Sequence, residues 1–340
     1  MNSVKRTYQL AINEFLTYFD THWKGTVEKI GIDNSQLSEG SRLRPQICMW
    51  GYLSTIEPDR VLSSDYSKIA NIAVSIELIH KASLILDDWL DNDTKRHGVS
   101  TFHVEHGAQK AVMYAINLIG VSLTRLENVF SDAIVLPHNY YLCLNTLIKT
   151  IQAMAKGALQ ELLLDNDIFD SNKIHEIIQL ETAEIISNSL LLGYYAGVEN
   201  SVDRSIEYEF KRIGDQCGYL FQVLNDLEAF SNPDRLIAHK GSLNYDYGVS
   251  RKNMAVATLF EVASQKDQEL LYNADTFALL QKMKEYHVIE TIQTTAKAIF
   301  RSIFNIKEIR SRTPLSAEWC VGFQSFLNFI KETAELRLKA

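Results

Sequence analysis

Proline is scarce in this chain, with 5 among 340 residues, and glycine stops at 15. Turn pairs bounding short alternating segments are hard to find, which argues against a sandwich or barrel of many short strands. Low-complexity tracts, internal repeats and long biased linkers are also missing, so nothing marks an interdomain boundary. Only four cysteines occur, Cys48, Cys143, Cys217 and Cys320, far apart and mostly in apolar surroundings. That spacing argues against a disulfide framework or a zinc site, and for buried free thiols in a reducing compartment. An excess of positive charge is lacking too. The formal net charge is -8 with both signs interspersed, which argues against a nucleic-acid surface. No uninterrupted apolar run reaches about 18 residues, and no N-terminal stretch has the form of a signal peptide. The expectation is a cytoplasmic protein with no transmembrane segment and no nucleic-acid partner.

What the chain has is helical periodicity. Apolar residues recur every three or four positions from Val4 to Phe19, Ile69 to Leu86, Ala111 to Phe130, Tyr140 to Leu164, Ile174 to Ala196, Ile206 to Phe230, Met254 to Ser264 and Glu318 to Leu338. This is the spacing of helices with one buried face. Breaks fall at polar or proline- and glycine-marked stretches, including 57–67, 92–100, 131–138, 165–173 and 231–251. The fold class is therefore all-α, read as one helical domain over residues 1–340.

One helix carries chemistry at its end. The run from Ile72 to Leu86 is almost wholly apolar, with Glu77, His80 and Lys81 as its charged or titratable members, and it ends in Asp87, Asp88 and Asp91. Asp87 and Asp91, at i and i+4, lie one above the other on one face. Carboxylates at a helix C-terminus oppose the macrodipole, and beside an apolar stretch they are costly unless cations neutralise them. The alternative is a solvated helix end with Lys95 and Arg96 as surface countercharges. The apolar run places the carboxylates at the rim of a core instead, where hard oxygens in small number suit Mg2+, an ion that takes its remaining ligands from phosphate and water.

The string Leu78-Ile79-His80, Ser83-Leu84, Asp87-Asp88, Asp91, Arg96, Gly98, Thr101, His103 and Gly107 resembles the first aspartate-rich region of trans-polyprenyl diphosphate synthases. Upstream, Gly40 to Pro45 resembles that family's GGKRxRP loop. Downstream, Phe221-Gln222-Val223-Leu224-Asn225-Asp226 resembles its FQxxDDxxD motif. Ordered landmarks of this kind, over roughly residues 35 to 260, are far more specific than any one of them. The resemblance implies an all-α isoprenoid-synthase bundle around a central prenyl pocket, a homodimer, and two or three Mg2+ ions bound with an allylic prenyl diphosphate. It makes Asp87, Asp91 and Asp226 the metal ligands, with Asp88 and Arg96 beside them in catalysis. Arg44, His80, His97, Gln222, Asn225 and Lys240 become substrate-binding residues, with Arg251 and Lys252 weaker candidates in the same segment as Lys240. Ala82 and Ser83, four or five residues before Asp87, would line the floor of the prenyl pocket. Both are small, so the expected allylic substrate is C15 or C20, with Ile79, Tyr114 and Leu118 near the chain end.

Departures from the family pattern qualify this. Asn225 and Ala229 stand where the second motif has aspartates, leaving Asp226 as one carboxylate on a face that would hold three. Ser41 replaces the loop lysine and His97 an arginine, both implied to hold the diphosphate of the co-substrate isopentenyl diphosphate. Each lost charge-assisted contact is worth roughly 1.5 to 3 kcal/mol. Glu181 stands where the family has a lysine beside the allylic diphosphate. The leading expectation is therefore prenyl transfer to an acceptor other than isopentenyl diphosphate, such as a neutral aromatic. Ordinary elongation, class I terpene cyclisation and a non-catalytic subunit regulating a partner synthase are the alternatives.

Overall fold

The periodic segments fold as helices, and the breaks between them as turns and short connections. The computed structural model describes residues 2–31, 37, 40–131, 137–164, 170–199, 201–231, 253–272, 274, 276–303 and 305–339. In chain order the helices are α1 (Asn2–Ile30), α2 (Leu43–Leu53), α3 (Ser67–Leu90), α4 (Phe102–His106), α5 (Ala108–Phe130), α6 (His138–Leu163), α7 (Ser171–Ile178), α8 (Glu184–Gly197), α9 (Arg204–Ser231), α10 (Met254–Val262), α11 (Gln265–Leu271), α12 (Thr276–Glu285), α13 (Val288–Ile303), α14 (Ile306–Arg312) and α15 (Ala317–Lys339). A π-helical turn, Gln179–Ala183, joins α7 to α8. Such turns recur at functional sites because they widen the backbone locally.

Helix α3 is apolar nearly all round, and a helix of that kind belongs inside. By length and composition alone it is apolar enough to cross a membrane, yet 72% of its most apolar stretch is buried inside the protein. The apolar run stays short of about 18 residues because Glu77, His80 and Lys81 interrupt it, yet the helix is still apolar on average, as a core helix is. Around α3 pack α1, α2, α5 and α8, while α8 also contacts α6 and α9. Their side chains form one large apolar cluster. A second cluster joins α7 and the end of α9 to α10, α12 and α13.

Two crossings are tight enough to demand glycine. A Cβ on Gly51 of α2 would lie 1.9 Å from the Leu190 carbonyl oxygen, and one on Gly193 of α8 would lie 1.7 Å from that of Cys48. Gly214 and Gly218 of α9 likewise press on Ser187 and Ala183. All four cysteines are buried free thiols, as expected, and burial raises their pKa values.

The stretch after α3 is more ordered than the sequence implies. Lys95–Arg96 (β1) and Val99–Ser100 (β2) pair antiparallel, Lys95 opposite Ser100. The turn residues His97 and Gly98 both have positive φ, 52° and 80°, the backbone of a tight two-residue hairpin.

Candidate active site

The acidic rim begins with how α3 stops. Asn92 has φ 55°, its N–H reaches the Trp89 carbonyl at 3.3 Å and the Asp93 N–H reaches that of Asp88 at 2.9 Å. This paired arrangement ends a helix with a left-handed residue. It folds the chain back so that the hairpin carries Arg96 onto the last turn of α3. Arg96 Nε donates to Asp88 Oδ1 at 2.8 Å and Nη2 to Asp87 Oδ2 at 3.2 Å. Asp88 is buried, and burial pushes its carboxyl up to about 6 against the pull of Arg96. Arg96, despite burial, is raised above its usual value by the hydrogen bond and charge of Asp88.

Asp87 keeps about half of its side-chain surface exposed, 52%, and Asp91 caps the helix on the same face. Asp88 thus sits inside with Arg96, Asp87 is exposed and Asp91 is half-buried at the helix end. Among the described residues no set of three or more His, Cys, Asp or Glu side chains is placed to hold a metal by itself. A rim with few carboxylates fits an ion that draws its other ligands from a phosphate and water, as Mg2+ does.

The second motif is arranged differently. Asp226 is buried, its Oδ1 accepts from Gln222 Nε2 and its Oδ2 from the Met254 N–H, both at 2.8 Å. It therefore secures the start of α10, while Asn225 is exposed beside it. Thr182, in the π-helical turn, donates to Gln222 Oε1 at 3.1 Å, which ties that turn to Asp226. The neighbouring Glu181 packs its Cγ where a side chain on Gly157 of α6 would otherwise sit. The side chain of Ala229 and the whole of Lys240, Arg251 and Lys252 lie outside the described residues.

On the adjoining face of α3, cations gather. Arg44, in the first turn of α2, has its pKa lowered to about 10 by burial, with Glu77 opposing, and its Nε is buried without a hydrogen-bond partner among the described residues. His80 is held neutral, its pKa well below the ordinary value through burial and the charges of Arg44, Lys81 and Arg96. Arg42, with φ 51°, stacks 4.8 Å over the Trp23 ring and meets Glu77 at 3.4 Å. Lys81 lies 3.9 Å from the same carboxylate. Lys81, Asp88, Arg96 and His97 line one narrow cleft with Leu84 and Phe102. The structure thus brings Arg44, His80, Arg96 and His97 into one neighbourhood, as the motif spacing implies. Sequence reasoning assigned no role to Lys81 there, although a lysine four residues after Glu77 in an apolar helix was a readable signal.

Toward the core, Ala82 is buried, and the half-buried Ser83 turns its hydroxyl back on the His80 carbonyl at 2.8 Å. Leu118 is buried too, and the Tyr114 ring meets Phe102 and His106.

The all-helical bundle, with an acidic helix end facing an arginine-bearing hairpin, agrees with the isoprenoid-synthase fold that the motif resemblance implies. The model of the family described as polyprenyl synthetase matches residues 31–274, and the chain belongs to that family. It is 27% identical over 198 residues to geranylgeranyl pyrophosphate synthase 10, mitochondrial, of Arabidopsis thaliana, a match covering 56% of this chain and 54% of that protein. The chain thus spans about half the length of that relative. Its fold is similar to a decaprenyl diphosphate synthase from Rhodobacter capsulatus, with TM-score 0.78, 16% identity and coverage of 97% and 99%. It is also similar to geranylgeranyl pyrophosphate synthase from Corynebacterium glutamicum, solved with isoprenyl diphosphate and magnesium, with TM-score 0.71, 16% identity and coverage of 95% and 98%.

Proposed function

We propose that this chain is a Mg2+-dependent, chain-elongating prenyltransferase that joins an allylic prenyl diphosphate, C15 or C20, to isopentenyl diphosphate. The observation that carries this reading is the pair of adjoining faces at the end of α3. Asp87 and Asp91 lie on one, where Arg96 meets the exposed Asp87, and Arg44 and Lys81 lie on the other. The first suits a metal-bound diphosphate and the second a further anion.

Asp87 and Asp91 would hold the magnesium ion, which when bound would supply Lewis-acid activation of the diphosphate leaving group. Arg96 fixes the orientation of Asp87 directly, is itself held by Asp88, and adds positive charge beside the departing oxygens. The carbon–oxygen bond breaks with its electron pair leaving on pyrophosphate, the alkene of the co-substrate attacks carbon 1, and the released pyrophosphate takes up the proton that the resulting cation loses to form the new double bond. The apolar core around α3 keeps water from the cation. Asp226, with both oxygens engaged by protein donors, contributes through the Gln222 and Thr182 relay, and Asn225 is the outward group on its side. The small side chain of the buried Ala82 supports the C15 or C20 reading, and a homodimer is the expected assembly.

The expectation of a different acceptor rested on Ser41 and His97. The relatives named above are synthases of prenyl diphosphates, which gives it no support, and the cations on α2 and α3 weaken its premise. The intact pair Asp87 and Asp91 speaks against a non-catalytic subunit.

Incubation with C15 and C20 allylic diphosphates and Mg2+, with and without isopentenyl diphosphate, followed by mass spectrometry, tests the proposal. Products longer by C5 units are expected only when isopentenyl diphosphate is present. Unchanged substrate, alcohol or cyclic hydrocarbon in both reactions would overturn it.

A further inference from the structure

At the other end of α3 from the acidic rim, a cleft of about 320 Å³ opens between α1, α3 and α5. Asn71, which lines it, stands 16 residues before Asp87 on the same helix, roughly 24 Å away at about 1.5 Å of rise per residue. Thr21, Lys29 and Asn128 are exposed at its mouth, whereas Thr26 is buried and His22, Asn71 and Arg125 are half-buried along its walls. Neither an acidic nor an apolar side chain lines it.

Arg125 gives the cleft its chemistry. Its Nη1 donates to Thr26 Oγ1 at 2.6 Å and its Nε to the Asn71 backbone carbonyl at 3.3 Å. Thr26 in turn donates to the His22 carbonyl at 2.7 Å, which fixes the acceptor and with it the guanidinium. Both acceptors are neutral, and among the described residues no carboxylate pairs with Arg125. A guanidinium has five N–H donors, so three are left without a protein acceptor among the described residues. Burial lowers Arg125 to about 10 with no carboxylate pulling it back, and burial and then the charge of Arg125 lower His22. A half-buried charge without a counterion is costly, and a bound anion offsets that cost.

We propose that this cleft binds a small hydrophilic phosphate or diphosphate anion, apart from the acidic rim, with Arg125 as its fixed donor and Lys29 at its mouth. Two cations match a dianion better than a single carboxylate, and a planar guanidinium offers paired N–H groups to phosphate oxygens. The volume falls within the range of small-molecule pockets, about 300–1,000 Å³. Walls without apolar side chains give a prenyl tail no place, so the ligand is hydrophilic throughout. The site does not depend on the elongation reading.

Imidazole NMR signals of labelled histidines in the full chain, without Mg2+, report where an anion binds. His22 lies in the cleft, whereas His80 and His97 lie beside Arg96 near the rim. The His22→Gln variant identifies the His22 signal. Inorganic phosphate, inorganic diphosphate and glycerol phosphate are added at constant pH and compared with sodium chloride at matched ionic strength. The His22 signal should shift saturably with the phosphates and not with chloride. In Arg125→Gln the affinity should fall about ten- to hundredfold, the loss of a charge-assisted contact. Lys29→Gln, at an exposed position, should weaken it about two- to fivefold, and this variant decides the matter where Arg125→Gln does not fold. Tightest binding of glycerol phosphate would mark an ester as the occupant, and tightest binding of diphosphate the free anion. No saturable shift of His22, shifts confined to His80 and His97, or unchanged affinity in the two variants would overturn the inference while leaving elongation intact.

Discussion

Asp226 is committed inward, to Gln222 and to the Met254 N–H, so replacing it by alanine strands two buried donors. Asp226→Ala should cost about 1–3 kcal/mol of stability, read from the urea midpoint, with the start of α10 losing protection from hydrogen exchange. Asn225 is exposed on the same turn, and Asn225→Asp returns a hard anionic ligand to that face. The Mg2+ concentration for half-maximal activity should then fall roughly tenfold, the worth of one charge-assisted contact. An unchanged midpoint would mean that α9 contributes no ligand. At this scale the acidic positions were legible because their spacing on α3 is a helix property. The orientation of Asp226 was not, because its second partner lies 28 residues away on a different helix.

The helices themselves were legible from period alone, and the ends of α3 and α6 fall within a few residues of the periodic segments. The hairpin at Lys95 to Ser100 was read as a plain break, because two-residue strands carry no alternation to detect. Only the His97-Gly98 pair at the turn signals it. Crossing distances between helices are likewise invisible in period, yet they decide which glycines are replaceable. Gly193→Ala would drive a methyl into the Cys48 carbonyl at 1.7 Å, and backbone cannot rotate away as a flexible side chain can. The variant should lose about 3 kcal/mol or more, together with activity, because α2 carries Arg44. Gly120, inside α5, would meet nothing within 4 Å. Gly120→Ala should therefore gain about 0.5–1 kcal/mol from helix propensity. Equal thermal shifts in the two variants would contradict the close approach of α2 and α8.

For the molecule as a whole, apolar surface is left over on two consecutive helices. On α6, Tyr141, Ile148, Leu159 and Leu162 are exposed, and their spacing of 7, 18 and 21 residues from Tyr141 keeps them within about 60° of one another around the helix axis. On α5, Met113 and Ile116 are exposed on a shared face with Gly120. Stripes of this length are larger than the scattered apolar residues a soluble surface normally shows, and mark contact with something. A second copy is the occupant the family resemblance implies, and it needs no partner outside this chain. Light scattering at micromolar concentration should give twice the chain's mass. A like charge in each stripe, Ile148→Lys with Leu159→Lys, meets its own copy across a two-fold contact and should give monomers. Because association stabilises by mass action, the wild-type midpoint of thermal unfolding should rise with protein concentration, and that dependence should vanish in the double variant. A wild-type monomer with a concentration-independent midpoint would reject the dimer. Since α3, which bears the acidic rim, packs directly on α5, the monomeric variant should also show weakened activity without any change in the site residues themselves.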